Sequence, residues 1–67
     1  MTSSCLSILR ALAARPSDDT VGAIALASGL DPAEVELSLQ DLRHQHLARR
    51  WETHWQLTSA GLVAATA

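Results

Sequence analysis

The sequence predicts a mainly α-helical fold carrying one small β-hairpin. Three observations lead there. Three segments before residue 45 repeat apolar residues at helical spacing, and Pro16 and Gly29 punctuate the gaps between them. After residue 46 the pattern shifts to two short runs, "LARRW" and "HWQLT", which read as strands. The whole chain is 67 residues, 48% hydrophobic and 18% charged, which suits a single folded domain over 1–67 with a thin core. With no Tyr or Phe, that core must come from Leu, Ile, Val, Ala and two Trp.

Residues 3–15 predict the first helix. Ser3 or Ser4 is placed to cap it, and Leu6, Leu9, Leu12 and Ala13 recur beside Cys5 and Ile8. Pro16 ends it, because a proline pushes the residue before it out of the helical region. "PSDDT" is a polar connection whose last residues can cap a second helix, "VGAIALAS", with Val21, Ile24 and Ala25 inward. Gly29 suits the left-handed position that ends it, and Leu30 turns back inward. Asp31 caps the third helix, Pro32 opens it, and Glu34 sits at capping-box spacing. Val35, Leu39 and Leu42 form its buried stripe.

The strands span 47–51 and 54–58, joined by a tight turn at Glu52 and Thr53. Trp55 and Leu57 share a face, and at least one Trp is expected to be largely buried. A short last helix, capped by Thr58, is expected to use Leu62 and Val63 as its apolar contacts and to fray because of Gly61.

These residues carry a resemblance. "IALASGLDPAEVELSLQDL" places a small residue, Ala25, four before Gly29, followed by apolar Val35, Leu39 and Leu42. "HLARRWETHWQLTSAG" closes with Leu57, Thr58 and Gly61 at Leu-Thr-x-x-Gly spacing. Both stretches resemble winged helix-turn-helix domains, in particular the MarR, ArsR and PadR-like bacterial regulators. The resemblance spans essentially the whole chain. It implies a three-helix core plus a wing, and double-stranded DNA binding as a homodimer in transcriptional control. It also implies that the third helix enters the major groove while the wing touches backbone or minor groove. The chain departs from that pattern in the acidic start of its third helix and in its very short wing.

Charge bears on this expectation. The formal net charge is −2. Up to Leu42, Arg10 and Arg15 stand against six acids. From Arg43 onward, Arg43, Arg49 and Arg50 stand against Glu52 alone. With Val35 set facing the core and about 100° per residue, Ala33, Leu37, Gln40 and His44 fall on the opposite side. Glu36 and Arg43 form one flank of that strip, Glu34 and Asp41 the other. Gln40 and His44 can reach base edges, and Ala33 or Leu37 a thymine methyl. Arg43, Arg49 and Arg50 can meet phosphates.

A second reading makes Leu37 an apolar anchor for a protein partner, as in an adaptor, anti-regulator or DNA mimic. The plainest account of Asp31, Glu34 and Glu36 is that they complement the positive end of the helix dipole.

Other chemistries find little footing. His44, His46, His54 and Cys5 lack the spacing of a metal site and predict a solvated, weakly basic patch, so no metal or cofactor is expected. No phosphate-binding loop or nucleophile arrangement points to an enzyme. One Cys excludes an internal disulfide and fits a reducing compartment. The opening residues lack secretory-signal character, and no apolar run is long enough for a bilayer, so a cytoplasmic location is expected.

Overall fold

A computed structural model describes residues 2–66. The element order is α1 (Ser3–Ala14), α2 (Val21–Ser28), α3 (Pro32–His44), β1 (Ala48–Trp51), β2 (His54–Leu57) and α4 (Ser59–Thr66). The result is mainly helical, with four helices and one antiparallel hairpin.

Each helix begins on a side chain that satisfies an otherwise unpaired backbone N–H. Thr2, rather than Ser3 or Ser4, caps α1 by accepting from the Cys5 N–H. Thr20 caps α2 through the Ala23 N–H, and Asp31 caps α3 through the Ala33 N–H at 2.8 Å. Pro32 then occupies the first turn, where its missing N–H costs nothing. The α1 helix stops at Ala14, one residue before the expected end, with Arg15 before Pro16 at φ −136° and ψ 76°. Gly29 ends α2 in the left-handed conformation at φ 73°. The expected capping box is replaced, since Glu34 accepts a 2.6 Å hydrogen bond from the Ser4 hydroxyl and ties α3 to the start of α1.

The core is one cluster. Cys5, Ile8, Leu9 and Leu12 come from α1, Ile24 and Ala25 from α2, and Val35, Leu39 and Leu42 from α3. Ala48 and Trp55 close it from the hairpin. Burying each large aliphatic side chain stabilises the fold by about 1.5–3 kcal/mol. Leu6 and Ala13 lie at the margin of the α1 stripe. Cys5 is buried with its sulfur 3.6 Å from a carboxylate oxygen of Asp41 and 3.9 Å from the Ser38 carbonyl.

The end of α3 is closed by two hydrogen bonds, His46 N–H to Arg43 carbonyl and Leu47 N–H to Leu42 carbonyl. This is the Schellman arrangement, which needs a left-handed residue. His46 supplies it at φ 60°. A non-glycine residue there costs about 1–2 kcal/mol. Glu52 in the hairpin turn takes the same kind of conformation at φ 55°, which answers how a turn without glycine closes.

The helix α4 departs from expectation. Leu62 and Val63 point outward, 50% and 69% exposed. The helix instead seats buried Gly61 and half-buried Ala64 and Ala65. The reason is close backbone approach. A side chain on Gly61 would overlap the Leu47 carbonyl oxygen. Thr58 organises the same corner, since its hydroxyl donates to the His46 carbonyl at 2.6 Å and accepts from the Gly61 N–H at 3.0 Å. The Leu-Thr-x-x-Gly spacing thus has a local cause. Threonine caps α4 and clamps it to the α3–β1 corner, and glycine lets the helix sit on that corner.

Candidate functional site

The hairpin register sets what each of its residues can do. Ala48 pairs with Leu57, Arg49 with Gln56, Arg50 with Trp55 and Trp51 with His54. Directly opposed residues share a face, and faces alternate along a strand. Ala48, Leu57, Arg50 and Trp55 therefore share one face, and Arg49, Gln56, Trp51 and His54 the other. Trp55 is 2% exposed in the core, whereas Trp51 is 70% exposed.

A clamp fixes the hairpin to the helices. The Asp19 carbonyl accepts from the Trp55 N–H at 2.8 Å, so the α1–α2 connection runs beside β2. The Asp19 carboxylate also lies 2.9 Å from His54 Nδ1. His54 is thus half-buried and paired, not part of the solvated patch the sequence suggested; His44 and His46 are exposed. Among the described residues no group of three or more His, Cys, Asp or Glu side chains is gathered as a metal site.

The outer side of α3 follows its periodicity. Ala33 and His44 are exposed, and Leu37 is 73% exposed. Gln40 is only half-buried rather than free, and its amide donates to Glu36 at 3.4 Å, the long end of hydrogen bonding. Arg43 is exposed at the end of the helix. Glu36 and Arg50 line one cleft together with Thr20, Val21, Thr53 and Trp55.

Both hairpin arginines are exposed and held at one point only. Arg49 donates through Nη2 to Gln56 Oε1 at 3.2 Å. Arg50 donates through Nε to the Glu52 carbonyl at 2.7 Å, which pins the turn. Arg49, Arg50, Trp51 and Gln56 line a shared surface depression. Strand alternation separates the two arginines onto opposite faces, yet at this end of the hairpin neither face is covered enough to bury its arginine.

Sequence periodicity found the α3 strip and the two hairpin arginines. It did not tell Trp51 from Trp55, either of which could stack on an exposed base or, as the favoured expectation, cover the core, and it did not find the Asp19–His54 pair. The signal for Trp51 was available in parity, because a two-residue turn at Glu52 and Thr53 forces Trp51 and Trp55 onto opposite faces. No comparable signal exists for a contact between residues 19 and 54.

No family model, curated protein or solved structure matches the chain. Among the described residues no helix is long and apolar enough to cross a membrane.

Proposed function

We propose that this chain is a winged helix-turn-helix domain that binds double-stranded DNA, working as a pair of copies in transcriptional control. The α2–Gly29–α3 unit is the helix-turn-helix, β1 and β2 the wing, and the Asp19–Trp55 bond a rudimentary third strand beside it. One observation carries the reading: an uncovered strip on α3 runs, within a few residues, into a hairpin whose arginines face solvent. Ala33, Leu37, Gln40 and His44 form the strip that meets base edges in the major groove. Arg43, Arg49 and Arg50 neutralise phosphates. Gln40 must exchange its bond to Glu36 for one to a base, a small cost at that length and exposure.

Three phosphate contacts per copy imply a salt slope of about −3 for one copy and about twice that for two. The test is fluorescence anisotropy of a labelled duplex at about 50 mM and about 200 mM salt. One copy should lose roughly forty-fold in affinity across that range, and the Arg49→Gln/Arg50→Gln variant should bind weakly with a shallower slope. Absence of binding at high micromolar protein in low salt rejects the reading. Light scattering after size exclusion measures the number of copies.

A second reading rests on Leu37, 73% exposed between Glu34 and Glu36, which suits the capture of a protein partner. Under it, Leu37→Glu abolishes partner capture while thermal stability stays unchanged.

A further inference from the structure

We propose that Trp51 is a stacking platform for an unpaired nucleobase, so that the hairpin favours duplex DNA presenting an open base at a single-stranded junction. The inference rests on the DNA-binding reading and adds a ligand class to its wing.

Three features of the hairpin support it. First, Trp51 is not part of the core. It lies on the face turned from the core, whereas Trp55, four residues on, fills the core. An indole left in water forgoes a large burial gain. Second, its neighbours match a nucleotide rather than an aliphatic ligand. Arg49 shares its face through the 49–56 pair, Arg50 precedes it, and both keep guanidinium donors free beyond one hydrogen bond each. A planar π-surface with Arg49 on its own face, and Arg50 lining the same depression, offers stacking to a base and charge to its phosphate. Gln56 adds an amide to the lining of the same depression. Of the nearby acids, Asp19 is paired with His54, and the Glu52 backbone carbonyl accepts from Arg50.

Third, the platform is held in place. The 2.7 Å bond from Arg50 to Glu52 fixes the turn, and Asp19 fixes β2 through both Trp55 and His54. A fixed backbone holds the root of the indole in one place, which lowers the entropy lost when it meets a base. Within a duplex each base stacks on its neighbours, and only the terminal pairs expose a face. A single-stranded tail adds unpaired bases open on their faces, so the tailed substrate uses Trp51 more fully.

The experiment compares a short blunt duplex with the same duplex carrying a short thymidine tail, both labelled, against the wild-type chain, Trp51→Ala and Trp51→Phe. The tailed probe should bind about tenfold more tightly than the blunt one to wild type. Trp51→Ala should erase that preference and leave blunt-duplex affinity unchanged, and Trp51→Phe should keep most of the preference. Tryptophan fluorescence of the wild type should fall more on adding the tailed probe than the blunt one. Equal affinity for both probes, or a preference that survives Trp51→Ala, overturns the stacking role and leaves duplex reading in place. Failure to bind either probe overturns both.

Discussion

The two faces of the hairpin differ in almost every respect although they are made from the same eight residues. The inner face carries Ala48, Leu57, Arg50 and a Trp55 that is 2% exposed; the outer carries Arg49, Gln56, His54 and a Trp51 that is 70% exposed. Residue type cannot account for the contrast, since a tryptophan stands on each side. Parity accounts for it: the two-residue turn fixes which positions face the helices. Composition therefore says that two indoles are present, and only register says that one stabilises the fold while the other is free to meet a ligand.

Exchanging the two sites in experiment should break this contrast in a graded way. Trp55→Ala empties the middle of the core and should cost about 3–5 kcal/mol, enough to unfold much of so small a domain at room temperature, read by urea denaturation. Gly61→Ala, which drives a methyl into the Leu47 carbonyl, should cost about 1–3 kcal/mol by displacing α4 from the corner behind the hairpin. His46→Gly relieves a left-handed residue and should raise stability by about 1 kcal/mol. Trp51→Ala should shift the unfolding midpoint by no more than the equivalent of about 0.5 kcal/mol, as for a surface position. A Trp51→Ala loss approaching that of Trp55→Ala would mean that the outer face is packed after all.

Much of the framework was legible in local signals. Asp31 and Pro32 opened α3, Gly29 closed α2, Pro16 closed α1, and Val35, Leu39 and Leu42 marked the buried stripe, because caps and periodicity act within a few residues. What escaped depended on partners distant in sequence. Glu34 answers to Ser4 across the α1–α3 packing, not to its own helix start. Leu62 and Val63 turn outward because the approach of two backbones, at Gly61 and Leu47, outweighs side-chain apolarity. His46 and Glu52 adopt left-handed angles that a reader expects of glycine. For the site, the α3 strip followed from helical period alone. The separation of Trp51 from Trp55 required the pairing of β1 with β2, and the tether of His54 to Asp19 required the third dimension.

One consequence follows from the order of the sheet. β2 is flanked by β1 on one side and by the Asp19 carbonyl on the other, but among the described residues β1 pairs with β2 alone. Its outer row of peptide groups is an open template on which another chain could zip up. Arg49 and Arg50 stand on that strand, and charge of one sign along an edge disfavours side-by-side joining of like strands. Stripping both to alanine would unguard the border and invite clumping, which in a binding assay mimics lost affinity; glutamine keeps the strand polar and is the cleaner replacement.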